Sequence, residues 1–230
     1  VDGVLARGRL PILAGGTGLY IDSLLSGRTF AAFDEASPLR AELEGRYARE
    51  GGQTLLDELA RADPESAARL HPNDGKRIVR ALEVWLTTGK TITEHNEETK
   101  ALPPRYSALT LNLDFERRED MWARIDLRVD RMMEAGLTEE VRALLRSGVP
   151  SGCTAMQAIG YKEMAAALQG DGDIAAAAAQ IKLRSRQYAK RQRTWFRRNS
   201  ETKKLLWGPV PNFADVLQRS TAYLEEIGIS

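Results

Sequence analysis

The sequence predicts an α/β fold, with a parallel sheet incomplete toward its N-terminus and an all-helical insertion. Three observations carry this. Apolar runs at Leu10–Ala14, Ala108–Phe115 and Lys204–Trp207 read as strands, and nearly everything else carries helical periodicity. The stretch from 24 to 103 has no strand signal, and sheet signals resume after it. Open α/β sheets usually hold roughly five or more strands. Three is too few, and "VDGVLARGR" opens in what reads as a helix already under way, so further strands are expected upstream of Val1. The predicted organisation is residues 1–23 as part of an α/β core, 24–103 as the helical insertion and 104–230 as the rest of the core.

The first element, "LPILAGGTGLY", reads as a buried strand, a glycine turn and a helix start. Gly15, Gly16 and Gly18 surround Thr17. Glycines let backbone N–H groups approach an anion, and the following helix aims its positive end at the same place. A tight turn that needs positive φ angles explains the glycines equally well. No lysine followed by serine or threonine is present here, so this is not a Walker loop.

The insertion reads as successive helices: "SPLRAELEGRYAREG", "GGQTLLDELARADPESAARL" and "NDGKRIVRALEVWLTTGK". In the last, Asn73 or Asp74 can cap the helix. Ile78, Val79, Leu82, Trp85 and Leu86 would form its buried stripe. Lys76, Arg77 and Arg80 gather on the exposed side of its first turns, where side-chain charge and helix dipole both favour a phosphate. The alternative is a solvated face with Arg80 paired to Glu83. Gly89-Lys90-Thr91 has a phosphate-loop ending but follows a helix, and Gly89 reads as its C-cap. Prolines 103 and 104 close the insertion.

After the second strand, "RIDLRVDRMMEAGLTEEVRALL" has an apolar stripe at Ile125, Val129, Met132 and Met133. Arg124 and Arg128 share one face, suited to a diphosphate. They could equally pair with Asp126, Asp130 or Glu119. Ala175–Ala179 is a helix former. Between Lys182 and Lys204 stand ten Lys or Arg and a single acid, Glu201, interleaved with Tyr188, Trp195 and Phe196. Cations on one side and aromatic anchors on the other are the footprint of nucleic-acid binding. Trp195 reads as one of the anchors.

Composition excludes several classes. The net charge of +1 is uninformative, but the lone Cys153 rules out an internal disulfide framework and fits a reducing, cytoplasmic setting. His71 and His95 lie far apart with no ligand partners at metal spacing, so no metal site is expected within the chain. No run approaches the roughly 18 apolar residues of a membrane span.

"LPILAGGTGLYIDSLLSG", "HPNDGKRIVRALEVWLTTGK", "RVDRMMEAGLTEEVRALL" and "AMQAIGYKEM…RSRQYAKRQRTWFRR" resemble, in the same order, bacterial tRNA dimethylallyltransferases. The resemblance implies a P-loop NTPase-like, nucleoside-kinase-like core with a helical insertion that grips the anticodon stem–loop. It implies transfer of a dimethylallyl group from dimethylallyl diphosphate to N6 of the adenosine just 3′ of the anticodon, assisted by Mg2+, by a monomer. Thr17 would stand in the channel near the target adenine, and Arg128, Gly15 and Gly16 would hold the donor diphosphate. Lys76, Arg77, Arg80, Arg40, Lys190, Arg191, Gln192 and Arg197 would lie along the tRNA. The family's P-loop and catalytic aspartate belong to sequence preceding this chain's first residue, so no general base is expected among these residues. "AGGTGLY" then becomes a second loop lining the channel, not the main phosphate cradle. A kinase-like phosphotransferase would leave the basic aromatic helix unexplained; a non-catalytic RNA-binding relative would not.

Overall fold

The computed structural model describes residues 1–28, 37–170 and 172–228. Its contacts divide the chain into two units, one of Val1–Gly18 with Leu109–Ser230 and the other of Leu19–Ala108. In chain order, α1 is Asp2–Leu5, α2 Gly18–Ser26, α3 Pro38–Glu50, α4 Gly52–Ala62, α5 Pro64–Ala67, α6 Gly75–Thr88 and α7 Ile92–Ala101. Then come β1 Leu111–Phe115, α8 Arg118–Glu134, α9 Leu137–Arg146, α10 Tyr161–Gln169, α11 Ile174–Phe196, β2 Lys203–Trp207 and α12 Phe213–Glu226. Residues 29–36, inside the expected 24–103 insertion, lie outside the described residues.

In the helical unit, α3, α4 and α6 close around Leu43, Leu55, Leu59, Ile78 and Leu82, with Tyr47 and Trp85 packed at the edge. Ile78, Val79 and Leu82 are buried as the periodicity predicts, but Leu86 is 46% exposed. Its place on the inner face is taken by Val84 and, unexpectedly, by the carboxylate of Glu83. Asp74 is the N-cap of α6, yet its carboxylate accepts from the backbone N–H of His71 upstream at 3.0 Å, not from the helix. Gly89 ends α6 in the left-handed region at φ 71°, so the "GKT" sequence is a helix terminus. Thr91 starts α7 in a reciprocal capping box with Glu94, and Lys90 pairs with Glu98 at 2.6 Å.

Asp63 ties three helices of this unit together. Its oxygens accept from Ser66 N at 3.0 Å, Thr93 Oγ1 at 2.6 Å and Thr93 N at 3.1 Å, which joins the ends of α4 and α5 to the start of α7. Burial pushes its carboxyl up, but the hydrogen bonds from Thr93 and Ser66 together outweigh burial and hold it below the ordinary range.

In the other unit, β1 and β2 form a parallel pair in register Leu113↔Leu205. Helices α8 to α11 pack around Val129, Val141, Met156, Met164 and Ile181, with Met132 and Met133 alongside. The expected strand at Leu10–Ala14 is absent: the segment belongs to no helix or strand, and Ile12 is 83% exposed. A strand exists only through a ladder, and the described sheet contains only β1 and β2. The local apolar pattern was therefore not enough.

Candidate nucleic-acid and diphosphate sites

Around the glycine loop the structure is specific. Gln192 Nε2 of α11 donates to the Gly16 carbonyl at 3.0 Å. A Cβ at Gly16 would fall 2.1 Å from that nitrogen, and one at Gly18 would fall 2.1 Å from Cδ1 of Trp195. The glycines are needed because α11 packs directly on the backbone; neither Gly16 nor Gly18 has a positive φ. Trp195 is thus a packing anchor, with Arg198 stacked 4.9 Å from its ring. Thr17 is exposed between the two clasped glycines. Gln192 faces inward here, where the sequence placed it along the RNA.

The rest of α11 sorts its cations. Lys182 pairs with Asp130 at 2.5 Å, Arg186 approaches Asp126 at 3.6 Å, and Arg193 bonds Asp114 of β1 at 2.8 Å. Those three are neutralised against the unit's own acids. Lys190 and Arg197 are exposed and make no ion pair among the described residues. Arg191, also exposed, lies over the Tyr188 ring at 5.4 Å. A stretch that looks uniformly basic in sequence thus keeps Lys190, Arg191 and Arg197 exposed and outside its ion pairs among the described residues.

On α8 the same sorting decides an open question. Asp126 and Asp130 are taken by α11, and Glu119 is bonded by Arg118 at 2.8 Å. Arg124 and Arg128 are exposed, four residues apart, with no ion pair among the described residues. Two unneutralised guanidinium groups on one face suit an anion with several oxygens.

In the helical unit, Lys76 and Arg77 are exposed without an ion pair among the described residues. They line a groove of about 610 Å³ with Arg28, Arg69, Arg80 and Lys100, together with Glu65 and Glu97. Arg80 is bonded to Glu83 at 2.7 Å, as the alternative reading held. Arg40 is turned to the same carboxylate, with Nε at 3.1 Å and Nη2 at 2.5 Å. The Glu83 side chain is only 6% exposed. Arg40 hydrogen bonding first, against the opposing effect of burial and with help from Arg80, holds its carboxyl below the ordinary range. Arg40 thus caps a buried charge, which the sequence reading missed. Glu83 sits among Ala81, Leu82 and Val84, and a lone acid in a buried run was the available signal.

These features define an α/β protein with exposed, unneutralised cations on α6, α8 and α11. A family model described as IPP transferase matches residues 1–199. The chain is 48% identical over 197 residues to a tRNA dimethylallyltransferase 1 of Trichlorobacter lovleyi, covering 86% of this chain and 64% of the relative. It is 46% identical to a tRNA dimethylallyltransferase of Geobacter metallireducens, over 91% and 66%. Among solved structures, the tRNA isopentenylpyrophosphate transferase of Bacillus halodurans matches at TM-score 0.62 and 34% identity, over 98% of this chain and 70% of that one. A eukaryotic dimethylallyltransferase acting on tRNA matches at TM-score 0.74 and 24% identity, a likeness of fold. The chain belongs to the IPP transferase family. It spans about two thirds of the length of these two curated relatives. Its small parallel sheet and many helices are the α/β fold of the solved tRNA isopentenyl transferases. No helix among the described residues is long and apolar enough to cross a membrane.

Proposed function

We propose that this chain is the RNA-gripping and donor-positioning part of a tRNA dimethylallyltransferase, with a P-loop NTPase-like core, acting as a cytoplasmic monomer on the anticodon stem–loop. The observation that carries this is the outer strip of α11. Lys190, Arg191 and Arg197 stay outward while Lys182, Arg186 and Arg193 are neutralised inward. Phosphate contacts from such a strip supply affinity through counterion release. Lys76 and Arg77 on α6 are proposed as a second phosphate contact. Arg40 would support that helix through Glu83 instead of touching RNA.

In the reaction, the donor's C1–O bond breaks, a bond from C1 to adenine N6 forms, diphosphate leaves with the electron pair, and the N6 proton goes to a carboxylate. The lone pair of N6 is delocalised into the ring, so a proton acceptor and stabilisation of the leaving group are both required. The base must also leave its stack. In the proposed assignment Arg128, together with Gly15 and Gly16, would stabilise the developing diphosphate charge, and Thr17 would line the channel. Asp114 and Asp126 are each already engaged by an arginine of α11. Neither is assigned as the general base, and the proposal expects transfer by these residues alone to be undetectable while RNA binding persists. No three His, Cys, Asp or Glu converge among the described residues. No step above runs through Mg2+, which the donor's phosphates would carry.

The test is binding of the 230-residue chain to an anticodon stem–loop RNA with adenosine 3′ of the anticodon. A duplex of equal length serves as competitor. Tighter, salt-sensitive binding of the stem–loop is expected. Equal binding of the duplex would overturn the proposal.

A further inference from the structure

Two turns of α11 do two things at once. Their outer face carries Lys190 and Arg191, with Arg197 just past the helix end, all three exposed. Their inner side carries Gln192, Arg193 and Trp195, which reach Gly16, Asp114 and Gly18. Arg193 pins the helix to β1 through a charge-assisted bond at 2.8 Å, with side chains 20% and 11% exposed. Between the two clasped glycines stands Thr17. The loop before it, residues 11–15, has no ladder to fix it.

We propose that Gln192 is a positioning residue: its amide clasps the Gly16 carbonyl and couples occupancy of the outer cationic strip to the placement of Thr17. This rests on the functional reading above, since it takes the occupant of the strip to be tRNA. A ligand that orders α11 from outside orders the loop on its inside, because the hydrogen bond joins helix to loop directly. The tight fit adds to it. With Gly16 carrying no Cβ, the Gln192 amide can sit where a methyl group would otherwise be, 2.1 Å away. An amide is required because the Gly16 acceptor needs a donor. Coupling of this kind is reciprocal, so loosening the clasp costs RNA affinity by the same factor that it costs the loop.

The experiment compares the full chain, Gln192→Met and Gly16→Ala. Methionine keeps the length of the side chain and removes the donor. Gly16→Ala leaves α11 untouched and displaces the amide from the loop side. Hydrogen exchange is followed in peptides covering residues 10–20, with and without saturating tRNA, and tRNA binding is measured across a salt series.

In the parent, tRNA should slow loop exchange by about 2- to 10-fold, the range of a single hydrogen bond. Both variants should lose that protection. Their tRNA Kd should rise by no more than the same factor, with the parental salt slope, since the phosphate contacts are intact. A purely structural role would alter free-state exchange yet leave the tRNA-induced protection. Protection that survives in both variants overturns the coupling. So does a parent that binds tRNA without protecting the loop, and that result leaves the functional reading standing. A parent that binds no tRNA sinks the functional reading and the coupling with it.

Discussion

Removing Arg40 should destabilise the helical unit without touching RNA phosphate contacts. The Glu83 carboxylate is 6% exposed and held by Arg40 at 2.5 Å and Arg80 at 2.7 Å. Stripping one partner from a fully buried pair costs about 3–5 kcal/mol. Here the Arg40 and Arg80 side chains keep 16% and 28% of their exposure, and Arg80 remains on Glu83 after Arg40→Ala. Partial hydration and the surviving partner reduce the cost to about 2–3 kcal/mol. Glu83→Ala should cost a similar amount, because it leaves two guanidinium groups near α6. The double variant should fall short of the sum by about 1–2 kcal/mol, the coupling of groups in contact. The assay is hydrogen exchange of the α3 and α6 amides at neutral pH. A loss of about 2–3 kcal/mol speeds exchange by roughly 30- to 160-fold where opening is at equilibrium. Salt-series binding of tRNA is run alongside and should keep the parental slope. Unchanged exchange together with a flattened slope would refute the reasoning and return Arg40 to the RNA.

Replacing Lys190, Arg191 and Arg197 together by Ala should flatten the salt slope of tRNA binding by about two to three log units per log unit, with the fold intact by circular dichroism. A parental slope in the folded variant would make the strip an ordinary solvated face. Arg128→Ala should weaken binding of dimethylallyl diphosphate by about 1.5–3 kcal/mol and leave tRNA binding nearly unchanged, as read by calorimetry with each ligand. Asp63 and Glu83 both have depressed carboxyl values. The stability they contribute is complete above the unfolded value of about 4 and is lost as pH falls through their lower folded values. Urea midpoints followed from pH 6 down to roughly pH 3 should fall, and the fall should be shallower in Asp63→Asn.

What the sequence determined by itself is local or periodic. The helical stripe of Ile78, Val79 and Leu82, the left-handed stop at Gly89 and the strand expected at Lys204–Trp207, found at Lys203–Trp207, follow from spacing and residue type, which act within a few residues. So does the concentration of cations on α11, and the motif order was specific enough to imply the family to which the chain belongs. What only the tertiary structure decided is partnership. Leu10–Ala14 looks like a strand but pairs with nothing described, because a ladder needs a neighbour that no local pattern encodes. Charge counting could not tell that Asp114, Asp126 and Asp130 would take up three α11 cations, nor that Arg124 and Arg128 would have no ion pair among the described residues. Nor could it turn Arg40 and Gln192 inward. Each meets its partner across a long sequence separation, Arg40 at Glu83 and Gln192 at Gly16, and such meetings are set by how helices pack and not by the residues beside them.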